Sequence, residues 1–522
     1  MQPLLVGLDL GTSSVKAIAI DVTGRVVASA SRSYPLSRPR PGWSEQDPKD
    51  WWEASAAALI ELVNGGVDPA RVAGIGLSGQ MHGLVLLDGR ARERQASDCA
   101  ALRPAMLWND QRTGAQCAAI ERAAGGRRKL VELVGNAALP GFTLPKILWL
   151  REHEPETLKR AAHAILPKDF VRLKLTGELA TDVGDGAGTL LFDVDARRYS
   201  ARALELFSIS PLLFPTAVES ATVCGGLSTW AAAQTGLRAG TPVVAGSGDN
   251  QAGAIGAGVV KPGMVLATLG TSGVIYAHAE RAWRDLPPGA PDELCGRLHT
   301  MCAADGDAKR AGSWSVTGCM LSAAGSLQWA RDTLFPGESF ETLIDEASRV
   351  APGCAGLVFL PYLTGERCPH PEPDARGGWI GLTSRHTRGH LVRAVLEGVT
   401  FAMGQILDLV RSAGVPVEHV RLGGGGAKSE LWRQMQADVY GAPVALTNTE
   451  EGPALGAALL AGVGAGVWPS VERACAATIT ETLVVAPSGN AERYAPARRV
   501  FERLYSELRG ANSALAEIDR AS

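Results

Sequence analysis

Several features with diagnostic value are missing from this chain of 522 residues. No apolar run approaches the roughly eighteen residues that cross a bilayer, so the sequence predicts no transmembrane helix. A net charge of −3 gives no basic excess for holding nucleic acid. The nine cysteines form no C-x-x-C pair, and the nine histidines show no HExxH spacing. We therefore expect reduced thiols, a cytoplasmic location, no transition-metal site, and neither a nucleic-acid nor a membrane partner.

What is present is the composition of an ordinary globular protein. Hydrophobic residues make up 46% and charged residues 20% of the chain, both close to the average for globular domains. The length predicts about two to four domains. There is ample chain for more than one hydrophobic core.

The first conspicuous stretch is Leu4–Asp21, in which two apolar β-rich runs flank the turn Gly11-Thr12-Ser13-Ser14. This pattern predicts a β-hairpin with small and hydroxyl residues at its tip. Asp9 interrupts the first apolar run, and a buried carboxylate needs a partner such as a cation. The N–H groups of Gly11, Thr12 and Ser13 could cradle phosphate oxygens. The alternative is an edge hairpin that tolerates one Asp.

The same pattern returns in the second half, where TLGTSGVI (268–275) echoes DLGTSSVK (9–16) with Thr268 in the place of Asp9. Two strands, Met264–Leu269 and Val274–Ala277, flank Gly270-Thr271-Ser272-Gly273. A repeat of domain size indicates an internal duplication, although eight residues can also match by chance. We predict an N-terminal domain over 1–245 and a C-terminal domain over 246–522.

Periodicity and capping residues predict the other elements. They include a helix that starts at Asp47-Pro48 and ends at Gly65-Gly66, with Trp52, Ala56, Leu59 and Val63 on its apolar face. Residues 115–240 read as largely helical. Further predicted elements are strands at Val72–Leu77, Leu84–Leu87, Thr241–Ala245 and His419–Leu422, and helices at Thr387–Ser412, Ser429–Tyr440 and from Pro453.

Two glycine-rich stretches invite a nucleotide interpretation, and only one supports it. Gly74–Gly79 fits G-x-G-x-x-G but does not run from a strand into a helix, as a dinucleotide fingerprint must. Gly423–Gly426 does lie between a predicted strand and helix, where a base or phosphate could lie against the backbone. A flexible loop is the alternative for the second stretch.

Asp249 is the strongest catalytic candidate because it follows a strand directly, among small residues, at the boundary between the two halves. A carboxylate there could accept a proton from a substrate hydroxyl that attacks phosphorus. The alternative is an Asx-turn or helix cap. Met81 and His82 follow another strand at a Gly-flanked turn, where they could shape a pocket and bond a polar ligand, or serve structure alone.

At this point the chain resembles the FGGY carbohydrate kinases. Its sequence at 141–153, GFTLPKILWLREH, is similar to the first family signature, and Gly377–Leu382 continuing to Glu397 is similar to the second. The resemblance covers about residues 4–480. Four further motifs look like those of the members that phosphorylate D-xylulose, namely PGWSEQDP (41–48), SGQMHG (78–83), LWNDQRT (107–113) and GSGDNQAGA (246–254).

The resemblance implies an α/β fold with two actin/hexokinase-like (ribonuclease H-like) domains and a central cleft, the N-terminal domain binding sugar and the C-terminal domain ATP. It implies ATP-dependent phosphorylation of D-xylulose, with Asp249 as catalytic base and Asp9 near Mg²⁺ and the transferred phosphate. The implied contacts are Met81, His82, Asp249 and Asn250 for sugar, Gly11, Thr12, Ser13, Gly270 and Thr271 for phosphates, and Gly425, Gly426 and Ser429 for adenosine.

Other outcomes stay open at this stage. The substrate could be another ketose or polyol, such as ribulose, glycerol or gluconate, and the protein could be a non-catalytic nucleotide-dependent sensor on the same fold. A homodimer is one of the open assembly states. Two departures from the family pattern are a longer loop at 89–104 and Gly184 where a small hydroxyl residue is expected.

Overall fold

The computed structural model describes residues 2–89 and 98–521. Residues 90–97, the middle of the predicted 89–104 loop, lie outside the described residues. The strands are β1 (Leu4–Leu10), β2 (Ser14–Ile20), β3 (Val26–Ser33), β4 (Glu45–Gln46), β5 (Val72–Gly79), β6 (Val85–Leu87), β7 (Ala105–Met106), β8 (His163–Ile165), β9 (Thr181–Asp182), β10 (Phe192–Asp193), β11 (Arg198–Tyr199), β12 (Ala217–Val218), β13 (Val223–Gly226), β14 (Pro242–Val244), β15 (Ser247–Gly248), β16 (Gly263–Leu269), β17 (Gly273–Ala279), β18 (His299–Cys302), β19 (Trp314–Met320), β20 (Val358–Leu360), β21 (Gly378–Ile380), β22 (Val417–Gly423), β23 (Val444–Thr447) and β24 (Glu481–Val485).

The α-helices alternate with these strands. They are α1 (Pro48–Asn64), α2 (Gly114–Ala124), α3 (Arg127–Val134), α4 (Thr143–His153), α5 (Pro155–Arg160), α6 (Pro167–Thr176), α7 (Val183–Gly186), α8 (Ala201–Leu206), α9 (Thr229–Thr235), α10 (Asp249–Gly256), α11 (Ala324–Leu334), α12 (Phe340–Ser348), α13 (Arg388–Ser412), α14 (Glu430–Tyr440), α15 (Gly452–Gly464), α16 (Val471–Thr478) and α17 (Ala491–Ala521).

The chain forms two compact units, each of which is built from three separate segments of the sequence. The first unit comprises Met1–Lys261, Ala279–Ser315 and Thr449–Thr480, and the second comprises Pro262–His278, Val316–Asn448 and Glu481–Ser522. This division differs from a single boundary at 245/246. Periodicity along the chain cannot show that a late segment returns to the first unit, because that return depends on side-chain size at a distant surface.

The returning segment carries α15, whose small residues pack directly on the first sheet. A Cβ added at Gly7 in β1 would lie 2.0 Å from the carbonyl oxygen of Ala454, and one at Gly76 in β5 would lie 1.9 Å from that of Ala457. Only glycine permits this close approach of strand to helix. Gly74–Gly79 therefore lies within a packed strand, in agreement with our rejection of a dinucleotide fingerprint.

Each unit is built on its own sheet, and the central strands of the two sheets have the same arrangement. In the first, the order is β13-β14-β5-β1-β2-β3, with β1 antiparallel to β2 and parallel to β5. Within the second, the order is β19-β17-β16-β22-β23-β24, with β16 antiparallel to β17 and parallel to β22. The hairpins with the GTS turns are thus equivalent elements, as the sequence echo predicted, and the α/β fold class is confirmed.

Two local predictions need correction. Residues 115–240 are a mixture of helices and short strands, because β8 and β9 pair with distant β6 and β12 rather than following a local period. Helix α1 starts as predicted, with Asp47 accepting from the N–H of Lys49 at 2.9 Å. Trp52 and Leu59 of the predicted apolar face are buried, whereas Ala56 and Val63 are only half-buried. The buried face also includes Trp51, Ala58 and Leu62, which the prediction left out.

Two further observations concern helix length and the cysteines. Among residues 2–89 and 98–521, no helix combines the length and apolar character needed to cross a membrane. Seven of the nine cysteines are buried, and Cys224 and Cys319 are half-buried.

Candidate active site

Three parallel strand ends create the site in the first unit. Strand β5 pairs with β1 on one side and β15 on the other, so Asp9, Ser78 and Ser247 lie in one row across the sheet. The next row is Leu10, Gly79 and Gly248. Since the carboxyl ends of parallel strands share one edge, the residues that follow them converge there. This register brings together segments from three distant parts of the chain.

Asp9 lies at the end of β1 with a carboxylate that its surroundings leave incompletely satisfied. Its Oδ1 atom is buried and has no hydrogen-bond partner among the described residues. Burial raises the pKa of Asp9 to about 6, and the nearby Ser78 hydroxyl and Lys16 ammonium oppose that rise. A cation would restore the charged form, because an adjacent positive charge favours a carboxylate.

Asp249 is the first residue of α10, one position beyond β15. Its Oδ1 accepts from the N–H of Asn250 at 2.8 Å, but the N-cap of α10 is Gly248, so Asp249 is not the helix cap. Burial raises the pKa of Asp249 to about 7, and the charge of Asp9 adds to the effect. A carboxylate with this pKa is matched to proton transfer near neutral pH.

Met81 and His82 follow β5 and lie beside the Asp249 segment. The amide Nδ2 of Asn250 contacts Met81 Sδ at 3.7 Å. His82 has a φ of 66°, in the left-handed region that favours glycine. The structure therefore assembles the four residues that the resemblance implied for sugar, although none of them was close in sequence to all the others.

Three buried side chains that our sequence reasoning missed hold His82 in this conformation. Its carbonyl accepts from Lys146 Nζ at 2.8 Å and from the Thr143 hydroxyl at 3.2 Å, and its N–H donates to Asp185 Oδ1 at 3.3 Å. Burial lowers the pKa of Lys146 to about 7. The signal for Lys146 and Thr143 was their place in the first family signature, where no individual role was assigned.

Another missed group is a fully buried charge cluster that supports the Asp249 segment. Lys168 Nζ lies 2.7 Å from both Asp169 Oδ1 and Asp182 Oδ1. Asp182 Oδ2 accepts from the hydroxyl of Ser247 at 2.8 Å, two residues before Asp249. Arg172 donates to the carbonyl of Ala245 at 3.0 Å. Charges removed from water in this way are retained only with close partners, and these partners fix the end of the strand.

Gly184 belongs to the same cluster. A Cβ at Gly184 would lie 2.4 Å from Ser247 Oγ and 2.8 Å from Asp182 Oδ2. The space that a side chain at 184 would need is thus occupied by the Ser247 hydroxyl. The departure from the family pattern lies against the strand that leads to Asp249, and not at a distance from the catalytic residues.

The turn between β1 and β2 completes the first-unit site. The N–H of Gly11 donates to the carbonyl of Ser14 at 3.0 Å, which closes the turn. Trp108, which is 40% exposed, donates from Nε1 to the Thr12 hydroxyl at 3.0 Å. Trp108 is a further residue that our reasoning quoted only as part of a motif, and it lies directly on the turn.

The second unit contains a separate cavity of about 1210 Å³. It is lined by all five residues of this unit that the sequence predicted for nucleotide: Gly270, Thr271, Gly425, Gly426 and Ser429. Gly424 has a φ of 78°, and a Cβ there would lie 2.4 Å from the carbonyl oxygen of Leu269. Ser429 caps α14 by accepting from the N–H of Trp432 at 3.2 Å. Apolar side chains such as Phe340 and Ile344 line the same cavity.

Comparison with known proteins shows the family of this chain. Residues 4–256 match the N-terminal domain, and residues 265–465 the C-terminal domain, of the FGGY family of carbohydrate kinases. The chain is 40% identical to a xylulose kinase of Bacillus subtilis over 98% of each chain, and 39% identical to one of Escherichia coli over 97% of this chain and 99% of that one.

A solved structure of similar length gives the same picture. The crystal structure of xylulose kinase from Rhodospirillum rubrum is 31% identical, covers 98% of this chain and 100% of its own, and superposes with a TM-score of 0.87. The two related sheets and their hairpins are therefore those of a phosphotransferase that acts on a sugar alcohol group. The chain belongs to the FGGY family of carbohydrate kinases.

Proposed function

We propose that this protein transfers the γ-phosphate of ATP to the 5-hydroxyl of D-xylulose, giving D-xylulose 5-phosphate. The observation that carries the proposal is the convergence of Asp9, Met81, His82, Asp249 and Asn250 at one edge of the first sheet. Relatives that act on xylulose, at 39% to 40% identity over nearly the whole chain, favour this ketose.

Asp249 serves as the general base in this proposal. It accepts the proton from the 5-hydroxyl as that oxygen attacks phosphorus, and its raised pKa of about 7 suits that role. Met81, His82 and Asn250 bind and orient the sugar. The fixed backbone of His82, held by Lys146 and Asp185, reduces the freedom that substrate binding must otherwise remove.

Asp9 fits a Mg²⁺ ion that accompanies ATP. The buried Oδ1 atom, which has no hydrogen-bond partner among the described residues, is a hard oxygen ligand. In such enzymes Mg²⁺ is held by one or two carboxylates together with substrate phosphates. Groups of three or more His, Cys, Asp or Glu that could bind a metal are absent from residues 2–89 and 98–521. When bound, the ion neutralises charge that develops on the transferred phosphoryl group.

The cavity of the second unit receives the nucleotide. Gly270 and Thr271 contact phosphates, while Gly425, Gly426 and Ser429 lie along the adenosine. The proposed setting is the cytoplasm, where thiols are kept reduced. The proposed assembly is a homodimer, which light scattering tests.

A substrate panel tests the proposal. ADP release is measured with D-xylulose, ribulose, glycerol and gluconate, and kcat/KM is expected to be highest for D-xylulose. A higher value for any other member would reassign the substrate within the family. Absence of sugar-dependent ATP consumption with every member would support the alternative of a non-catalytic nucleotide-dependent sensor.

A substitution tests the role of Asp249. Asp249→Ala should abolish phosphorylation while ATP binding, measured by calorimetry, stays within about twofold of wild type, because the cavity residues are untouched. Turnover within tenfold of wild type would contradict the assignment.

A further inference from the structure

In the GTS turns of both units, the carbonyl groups of the Gly and the Thr accept hydrogen bonds from residues outside the turn. In the second unit, the carbonyl of Gly270 accepts from the N–H of Ala324 at 2.9 Å, and that of Thr271 accepts from Ala323 at 2.8 Å and Gly325 at 3.2 Å. These donors are main-chain groups at the start of α11. Both turn carbonyls are therefore held toward the protein.

In the first unit the same two carbonyls are held by side chains. The Tyr34 hydroxyl donates to the carbonyl of Gly11. Gln46 Nε2 donates to the carbonyl of Thr12 at 2.7 Å and to that of Pro35 at 3.1 Å. Tyr34 and Gln46 are 8% and 2% exposed, so neither bond competes with bulk water. Equivalent carbonyls are thus anchored in both units by unrelated donors.

The orientation of the Gln46 amide is determined by its other partners. Its Oε1 atom accepts from Trp51 Nε1 at 3.0 Å and from Gln80 Nε2 at 2.9 Å. An indole N–H can only donate, so the atom that faces Trp51 must be the amide oxygen. The Nε2 donors are then left for the carbonyls of Thr12 and Pro35. Trp51 and Gln80, both buried, lock this choice.

Anchoring the carbonyls fixes the direction of the following N–H groups. In a trans peptide the C=O and the N–H point to opposite sides. A carbonyl of Gly11 held inward turns the N–H of Thr12 outward, and a carbonyl of Thr12 held inward turns the N–H of Ser13 outward. Within the described residues, no acceptor receives either N–H. Two neighbouring N–H groups without a protein acceptor at one turn form an anion-binding arrangement.

We infer that Tyr34 and Gln46 are positioning residues for phosphoryl transfer, which align the N–H groups of Thr12 and Ser13 on the phosphate of the phosphorylated sugar. The inference rests on the proposed function, because the phosphate that these N–H groups would bind is the one transferred to the sugar. It adds two residues that touch neither sugar nor nucleotide. Their effect passes through the backbone of the turn.

Two substitutions remove the anchors with little change in volume. Tyr34→Phe deletes one hydroxyl. Gln46→Glu keeps an oxygen for Trp51 and Gln80 but points a second oxygen at the carbonyls of Thr12 and Pro35. A matched control is Ser31→Ala, because the Ser31 hydroxyl also donates to a hairpin carbonyl, that of Val15 at 3.1 Å, but within the paired strands and away from the turn.

The decisive measurement compares two ligands by calorimetry. D-xylulose reports on the sugar contacts, and D-xylulose 5-phosphate reports on the sugar and phosphate together. In Gln46→Glu and Tyr34→Phe, the ratio of the Kd for the phosphate ester to the Kd for the free sugar should rise by about tenfold, and kcat should fall by at least as much with KM for sugar within about threefold. Ser31→Ala should leave the ratio and kcat within about twofold.

The outcomes separate the inference from the proposed function. An unchanged ratio in both variants, with thermal midpoints showing that each is folded, would overturn the positioning role. If Gln46→Glu does not fold, Tyr34→Phe decides alone. Failure of the proposed function appears differently, as no phosphorylation of D-xylulose by the wild type. If the panel identifies another sugar, the ratio is measured with that sugar and its phosphate.

Discussion

Replacing Asp249 by Asn is expected to stabilise the unliganded protein at neutral and alkaline pH. The folded state holds this carboxyl among protein atoms beside Asp9, and burial followed by the Asp9 charge raises its pKa from 3.8 to about 7. Folding therefore opposes ionisation of Asp249. Asn has nearly the same shape and cannot ionise, so the variant isolates the free energy that the charge costs.

The sign and size follow from linkage. Below about pH 4 Asp249 is protonated in both the folded and the unfolded chain, so its contribution to stability is fully present. As the pH rises toward 7 the unfolded chain ionises first, and the free energy of unfolding falls. At 1.36 kcal/mol per pH unit the loss is at most about 4 kcal/mol. Because part of the side chain is open to solvent, we expect about 1 to 3 kcal/mol.

Urea unfolding of wild type and Asp249→Asn at pH 4.5, 6, 7 and 8 measures this difference. The difference between the two midpoints should be smallest at pH 4.5, and the variant should become progressively more stable than wild type up to about pH 7.5. Asp68→Asn is the control, because Asp68 caps a 3-10 turn at the surface, accepting from the N–H of Ala70 at 2.9 Å, and Asn caps equally well.

A difference that does not change with pH, or a variant less stable than wild type at pH 8, would refute the reasoning. The first result would mean that Asp249 has an ordinary pKa in the folded protein. The second would mean that the ionised carboxylate makes favourable contacts that outweigh its burial. The expected result would show a group retained for chemistry at the expense of stability, as is common in active sites.

Three further predictions follow from the same structure. The kcat/KM for sugar should rise about tenfold per pH unit up to about pH 7 as Asp249 loses its proton, and a flat profile between pH 5.5 and 8 would contradict its role as base. Gly76→Ala should lower the urea midpoint by the equivalent of about 3 kcal/mol or more, because its Cβ would lie 1.9 Å from a carbonyl oxygen of α15. As a control, Gly114→Ala should leave the urea midpoint nearly unchanged, because the space around its Cβ is open. Gly184→Ser should reduce both the urea midpoint and kcat, because its Cβ would clash with Ser247 Oγ and Asp182 Oδ2, and a variant with the midpoint and kcat of wild type would count against the steric explanation.

Local chemistry in the sequence was sufficient for several elements. Asp47-Pro48 marks the start of α1 because an N-cap oxygen and a proline at the first helical position act within one turn. Alternating apolar residues on both sides of Gly11–Ser14 specify a hairpin, and its echo at 268–275 specifies a second one. These signals involve residues that are close in sequence, so they survive without knowledge of the fold.

Local sequence patterns could not predict the shortest strands, nor the return of a late segment of the chain to the first unit. A two-residue strand such as β9 exists because β12 lies beside it, and neither has a periodicity of its own. The return of α15 to the first unit depends on glycines in β1 and β5 that are remote in the chain. Helix propensity predicted α15, but only the packing surface decided where it lies.

At the candidate site, too, some features follow from the sequence and others only from the tertiary structure. The sequence determined which residue types are available: an Asp in an apolar strand, an Asp after a strand, two GTS turns and a glycine run. Tertiary structure decided that Asp9, Ser78 and Ser247 share one row, which turns two separate carboxylates into an interacting pair. It also supplied the anchors of the first turn, Tyr34 and Gln46. Hydrogen bonds between residues so far apart depend on strand register, and register is a property of the folded sheet and not of any local stretch of sequence.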